Sequence, residues 1–204
     1  MNTPGQELEV KYYLQNRLAL EGRLKTARAE IVQPRTHEVN LRFDTPGYDL
    51  LHTHQVLRLR KDQNYHVTYK DQGRDEGGAR LRREIEFTVN DFEVARQFFE
   101  ALGYVVILMY EKYRTTYRMG EVLVTLDEMP YGDFSEIEGP QPGSIQQASQ
   151  TLALNWERRI LDSYTALFEL LKATRRLKFR DLSFENFKNL KIQPEDLNIT
   201  PADV

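Results

Sequence analysis

The sequence predicts an α+β fold: an eight-stranded antiparallel β-barrel, or tunnel, with flanking helices and a helical C-terminal extension. Three observations predict it. Eight segments alternate charged and apolar residues with a period of two, which in a strand sends the two kinds to opposite faces. Short polar or glycine-bearing connections separate several of them, the mark of hairpins and so of antiparallel pairing. Helical patterns interrupt and then follow the strands, and they offer cover for the apolar faces.

The first strand, 6–13, contains Glu7-Leu8-Glu9-Val10-Lys11, with Glu7, Glu9 and Lys11 on one face and Leu8, Val10 and Tyr12 on the other. Residues 15–29 carry Leu18, Leu20, Leu24 and Ala27 at roughly helical spacing. Strands follow at 38–44, at 55–61 (Arg58 and Arg60 flanking Leu59) and at 65–71 (His66, Thr68, Lys70). The strand 80–89 offers Arg80, Arg82, Glu84, Glu86 and Thr88 opposite Leu81, Ile85 and Phe87, and the stretch Asp71 to Gly78 before it reads as a connection. A helix over 90–102 has Asn90 as cap, Glu93 completing a capping box, Gly103 as its end, and Phe92, Ala95, Phe98, Phe99 and Leu102 as its apolar side. The last strands are 105–118 (Lys112, Arg114, Thr116, Arg118), 121–128 (Thr125, Asp127) and 133–139 (Glu136, Glu138). Helices are expected near 144–154, 161–174 and 183–189. This divides the chain into a tunnel domain, 1–174, and a C-terminal extension or tail, 175–204, whose basic start Arg175-Arg176-Leu177-Lys178 reads as a solvated helix end.

Composition narrows the function classes. The net charge of −3 supplies no global basic field, so no nucleic-acid partner is expected. There is no cysteine, which excludes disulfides and thiolate metal sites and fits a reducing compartment. The N-terminus shows no signal segment, and the longest apolar run, Tyr104 to Tyr110, is too short for a membrane helix. A cytoplasmic protein with no membrane partner is expected, and a homodimer stays open.

If the apolar faces point outward under the helices, the charged faces meet inside a closed barrel. Burying so many charges is a poor route to stability, because each ion taken out of water costs several kcal/mol unless its pairing is very good. Any single arginine among them has a structural reading as a neutralising partner of a neighbouring glutamate. The whole set is better explained by a wet tunnel that takes a charged ligand of both signs. Clustered carboxylates suit a hard divalent cation such as Mg²⁺ or Mn²⁺, and opposed arginines and lysines suit phosphate oxygens. A metal-bound polyphosphate meets both demands.

In their order, these motifs resemble those of the CYTH, or triphosphate tunnel metalloenzyme, superfamily. Glu7-x-Glu9-x-Lys11 resembles its ExExK signature, Phe43-Asp44-Thr45-Pro46 its FDTP, Arg58-x-Arg60 its RxR and Thr68-x-Lys70 its TxK. Arg82-x-Glu84-x-Glu86 resembles its RxExE, Lys112-x-Arg114 its KxR, and Leu126-Asp127-Glu128 with Gly132 to Gly139 its closing acidic strands. The resemblance covers roughly residues 6–172, including the Asp162-Ser163-Tyr164 start of the later helix. It implies Glu7, Glu9, Glu136 and Glu138 as metal ligands with Asp127 nearby, and Lys11, Arg58, Arg60, Lys70, Lys112 and Arg114 as phosphate holders. Arg82 and Arg118 are additional candidates for phosphate, and Glu84 and Glu86 for orienting basic residues or holding a second metal.

The superfamily implies either of two reactions on a small-molecule triphosphate. Triphosphatases direct water to the terminal phosphorus of thiamine triphosphate, inorganic triphosphate or a nucleotide. Class IV adenylyl cyclases direct the ribose 3′-hydroxyl to the α-phosphorus of ATP. No adenine-recognition motif stands out, which favours hydrolysis. A non-catalytic polyphosphate-binding module and an outer-membrane barrel are the readings from other classes, and the helices between strands argue against the latter. The four histidines show no metal-ligand spacing except His52-x-His54, and only His66 shares a predicted interior face.

Overall fold

The computed structural model describes residues 5–204, and the predicted antiparallel barrel is present. Strand β1 (Gln6–Leu14) leads through helix α1 (Arg17–Thr26) to β2 (Glu30–Asp44) and the one-turn helix α2 (Asp49–His52). Strands β3 (Val56–Lys61), β4 (Tyr65–Lys70), β5 (Arg74–Glu76) and β6 (Ala79–Val89) follow, then helix α3 (Phe92–Ala101). Strands β7 (Val105–Met119), β8 (Val122–Met129) and β9 (Gly132–Glu138) precede helices α4 (Pro142–Thr151), α5 (Tyr164–Arg175) and α6 (Phe184–Phe187). The strands pair in the order β1-β9-β8-β7-β2-β3-β4-β6, and β6 returns to β1 through Glu7↔Arg82 and Glu9↔Arg80. Closure pairs Gln6–Glu9 of β1 with the first part of β6 and so joins the two ends of the sheet.

Three local differences from the sequence reading have clear causes. The stretch 71–78 is not a plain connection, because it contains β5. That strand pairs with β6 through Arg74↔Leu81, on the edge where β4 has just paired through Lys70↔Glu84, so it continues β4 after a short break. Only Gly77 and Gly78 make the turn, both at positive φ (+61° and +83°), as a two-residue hairpin loop requires. Second, β2 begins at Glu30, well before 38. The added length pairs irregularly with β7, with register shifts around Gln33, and Pro34 there cannot donate to a ladder. Third, Asp91, not Asn90, caps α3: its side chain accepts from the Val94 amide at 3.0 Å.

Three hydrophobic clusters hold the barrel. Outside β1, β8 and β9, Leu8, Val10, Tyr12, Val124, Leu126 and Ile137 pack with Leu20 and Leu24 of α1 and Ile145 and Leu152. Outside β2, β3 and β4, Phe43, Leu57, Leu59 and Val67 pack under Phe99 of α3. The cover is not complete, since Ile85 and Phe87 on the outer face of β6 stay 43% and 55% exposed.

The third cluster departs from the simple picture of charge inside and helices outside. Tyr13 shares its face with Lys11, Phe134 with Glu136, and Leu108 and Tyr110 with Lys112, so all four face inward. They pack against Leu167, Phe168 and Leu171 of α5. The interior of the barrel is therefore polar along one part and apolar at the end where α5 seats. Helix α5 plugs an end and does not coat a wall.

The segment after α5 adds to this same core. Leu182, Phe187 and Leu197 join the third cluster, and Leu182 exchanges backbone hydrogen bonds with β7 (its N–H to Met109 at 2.9 Å, its C=O from Glu111 at 3.1 Å). The Asp203 carboxylate then accepts the amides of Gln15 (2.7 Å) and Asn16 (2.8 Å) at the end of β1. The expected helical extension is mostly irregular, with α6 and the 3₁₀ turn Pro194–Leu197 as its helical parts. Among the described residues no helix is long and apolar enough to cross a membrane.

Asp44 anchors the end of β2. Only 1% exposed, it accepts the amides of Thr45 (2.7 Å), Leu50 (2.9 Å) and Leu51 (2.9 Å), and so fixes the path into α2. Each buried donor left unpaired costs about 1–3 kcal/mol. Asp44→Ala is therefore expected to lower unfolding free energy by about 3 kcal/mol or more in a urea titration. A loss below about 1 kcal/mol would show that water replaces the carboxylate at no great cost.

Candidate active site

The inward faces of the strands enclose a cavity of about 220 Å³. Glu7, Glu9 and Lys11 come from β1, Arg42 from β2, Arg58 and Arg60 from β3, and Lys70 from β4. Arg82, Glu84 and Glu86 come from β6, Tyr110, Lys112 and Arg114 from β7, and Glu136 and Glu138 from β9. Val56 and the Ser163–Thr165 turn that opens α5 complete the lining. The strand period alone puts these side chains on one face, and closure of the ring brings them together.

Nearly every charge is paired. Lys11 meets Glu136 at 2.7 Å, and Lys70 meets Glu7 at 2.6 Å and Glu84 at 3.5 Å. Arg82 reaches Glu9 at 3.4 Å, Arg58 reaches Glu86 at 3.5 Å, and Arg60 reaches Asp62 at 3.1 Å and Glu86 at 3.3 Å. Deeper, Asp127 is fully buried and takes Lys112 (3.1 Å), Arg114 (Nε at 2.6 Å) and the Tyr164 hydroxyl (2.7 Å), while Arg114 also contacts Glu136. Behind Lys112 lies Glu38, at 3.7 Å. Lys11 also sits 4.5 Å from the centre of the Tyr164 ring, so α5 supports the polar site as well as the apolar plug.

Two lining charges, among the described residues, have no opposite charge within 4 Å: Glu138 and Arg42. They lie in different surroundings. Glu138 pairs across the ladder with Glu9, and Glu7 lies close by on the same strand. Burial together with the Glu7 and Glu9 charges pushes the Glu138 carboxyl up to about 7. Burial and the charges of Glu7 and Glu136 also raise Glu9. Elsewhere cations win over burial: Lys112 and Arg114 hold Glu38 down at about 2, and Lys11 and Arg114 hold Glu136 well below the usual carboxylate range. The site is thus sorted into an electronegative corner at Glu7, Glu9 and Glu138 and an electropositive remainder.

That corner has the donor chemistry of a divalent-cation site, with three carboxylates on two adjacent strands and one of them without a counter-charge. It is not a ready-made cage. Glu7 is drawn to Lys70 and Glu9 to Arg82, and no three acidic or histidine side chains among the described residues converge on one point.

Of the residues singled out in the sequence, Glu7, Glu9, Lys11, Arg58, Arg60, Lys70, Arg82, Lys112, Arg114, Glu136 and Glu138 line this one cavity, as do Glu84 and Glu86. Two stand apart. Asp127 lies behind the lining with its oxygens taken by Lys112, Arg114 and Tyr164. Arg118 is exposed near the end of β7, paired in the ladder with Glu30 and Leu123, because the strand runs on past the cavity. Arg42, Glu38, Tyr110 and Thr165 were not singled out, and Ser163 entered only as part of the Asp162-Ser163-Tyr164 helix start, with no role assigned. For the first two the signal was present, since Glu38-x-Asn40-x-Arg42-x-Asp44 carries the same two-residue alternation. His66 does border the site, with Nδ1 3.3 Å from Glu86, whereas His37 pairs with Glu111 at 2.8 Å, well along β2.

The CYTH domain profile matches residues 5–161, and the chain belongs to the CYTH domain family. A Methanocaldococcus jannaschii protein named "Putative adenylate cyclase" is 28% identical over 134 residues, 65% of this chain and 75% of that protein. Solved structures share the fold. A "putative adenylate cyclase" of Vibrio parahaemolyticus superposes with a TM-score of 0.73 at 23% identity, over 82% of this chain and 99% of that one. A Hippeastrum protein described as a putative adenylyl cyclase with a dominant triphosphatase activity superposes with a TM-score of 0.63 at 17% identity, over 95% of this chain and all of that one.

The crowding at Glu138 sets a pH dependence. A carboxyl raised from 4.5 to about 7 on folding stabilises the fold fully below pH 4.5, and that contribution is lost as pH rises toward 7. In EDTA, the melting temperature of the wild type should therefore fall, relative to Glu138→Gln, between about pH 4.5 and 7. Parallel pH profiles for the two proteins would show that Glu138 is not crowded.

Proposed function

We propose that this chain is a divalent-metal-dependent triphosphatase that draws a small-molecule triphosphate into the barrel and releases phosphate from it. The single observation that carries the reading is the sorting of charge in the cavity. A crowded carboxylate corner with an unpaired Glu138 adjoins a wall of arginines and lysines, which is the pattern a metal-bound polyphosphate would complete. Membership of the CYTH family and the likeness to the Hippeastrum protein support it.

Glu7, Glu9 and Glu138 would hold Mg²⁺ or Mn²⁺, and such an ion supplies charge neutralisation at the phosphate oxygens, whereas Glu136, engaged by Lys11 and Arg114, would orient those two cations. Lys11, Arg58, Arg60, Lys70, Arg82, Lys112 and Arg114 would grip the phosphates. Asp127 would fix the directions of Lys112 and Arg114 from behind, and Arg118, outside the cavity, takes no part.

The ion pairs suggest how the parts would work together. Glu7 and Glu9 now neutralise Lys70 and Arg82. Carboxylates engaged by a cation would release those two side chains, which would then be free for phosphate. The protein would keep its cations paired until metal and substrate arrive together, and positioning and charge stabilisation are what phosphoryl transfer chiefly asks of a protein.

A second reading is cyclisation of ATP to cyclic AMP and pyrophosphate, favoured by the name of the archaeal relative. The lining argues for the first: it is dominated by charged side chains, with Val56 as its aliphatic member, and suits a phosphate chain better than a base.

The test is to incubate the protein with inorganic triphosphate, thiamine triphosphate and ATP in Mg²⁺ or Mn²⁺ and to resolve phosphate, pyrophosphate and cyclic AMP. Phosphate as the main product is expected. Cyclic AMP would establish the second reading, and metal-dependent binding with no product would mark a non-catalytic module. Glu9→Ala and Arg58→Ala should each reduce turnover at least about a hundredfold, the usual cost of one lost transition-state charge contact. Near-normal turnover in either would remove that residue from the site.

A further inference from the structure

Arg42 is the one cation of the cavity wall, among the described residues, with no carboxylate within 4 Å. It is 9% exposed, its Nε has no hydrogen-bond partner, and Nη1 reaches only the Thr165 hydroxyl at 3.2 Å. It stands directly across the ladder from Arg58, another cation. A register shift falls between Arg42 and Phe43, opposite Ile107 of β7, and bulges of this kind re-aim the side chains beside them. A buried, uncompensated guanidinium beside a like charge is costly for the fold. The turn that meets it is the start of α5, a 12-residue helix whose Ser163 and Thr165 also line the cavity and whose first amides favour an anion.

We propose that Arg42, Arg58 and the Ser163–Thr165 turn form an anion subsite for an unesterified terminal phosphoryl group. The plug formed by α5 makes this the blind end of the cavity, so a phosphoryl group seated there has nothing beyond it. The substrate class is then a triphosphate with at least one free end, and a triphosphate esterified at both ends is excluded. This rests on the triphosphate reading of the cavity and adds its orientation.

The test is calorimetric binding, run in EDTA and repeated with Ca²⁺, with inorganic triphosphate and diadenosine triphosphate as probes. Wild type should bind inorganic triphosphate at least about tenfold more tightly than the doubly esterified compound. Arg42→Gln should lose at least about tenfold in affinity for inorganic triphosphate, and Arg42→Lys less, as expected when a charge-assisted contact is removed or weakened. The ligand-free melting temperature of Arg42→Gln should be no lower than that of wild type, since an unpaired buried charge has been removed. Unchanged triphosphate affinity in Arg42→Gln, with or without a lower melting temperature, overturns the subsite and leaves the triphosphate reading standing. Equal binding of the two probes overturns the blind end. Failure of wild type to bind inorganic triphosphate under any metal condition overturns the triphosphate reading, and the subsite with it.

Discussion

A closed barrel that turns charged strand faces inward must find a partner for every ion it buries. Each charge left alone costs several kcal/mol, whereas a well-made pair roughly breaks even. The lining follows this rule closely: Lys11 with Glu136, Lys70 with Glu7, Arg82 with Glu9, Arg114 with Asp127. Stability comes instead from the three apolar clusters, two outside the barrel and one where α5 enters it. The charges are tolerated because they are paired.

From this follows the importance of the two charges that break the rule. Glu138 faces Glu9 across the ladder, and Arg42 faces Arg58. One lies on β9 beyond Glu136 from the apolar plug, and the other touches the first turn of α5. A cation at the first and an anion at the second would each relieve a local repulsion. The same substrate complex would relieve both, with the paired charges between them exchanging partners along its length.

Much of this was legible in the amino-acid order. A two-residue alternation over Glu7-x-Glu9-x-Lys11, Arg58-x-Arg60, Arg82-x-Glu84-x-Glu86 and Lys112-x-Arg114 reports which face each side chain takes, because strand geometry enforces it. Residues outside that geometry were harder. Arg118 keeps the alternation yet lies beyond the cavity, since periodicity gives the face and not the height along the barrel. Asp127 has the right face, but its oxygens are consumed by neighbours from β7 and α5 that no local pattern specifies. The plug was hidden for a similar reason. Tyr13, Tyr110 and Phe134 sit on the charged faces of their strands, and only the packing of α5 explains why those positions are aromatic. β5, three residues of Arg-Asp-Glu, is too short and too polar to signal a strand.

The account turns on partner exchange: carboxylates that now hold Lys70 and Arg82 would pass to a cation, and those cations to phosphate. The most direct measurement is a crystal structure with Mn²⁺ and a non-hydrolysable triphosphate analogue, using anomalous scattering to locate manganese. The predicted result is an anomalous peak among Glu7, Glu9 and Glu138, with Lys70 Nζ moved from Glu7 onto a phosphate oxygen. Manganese elsewhere, or a Lys70–Glu7 contact still intact near 2.6 Å beside bound analogue, would contradict it.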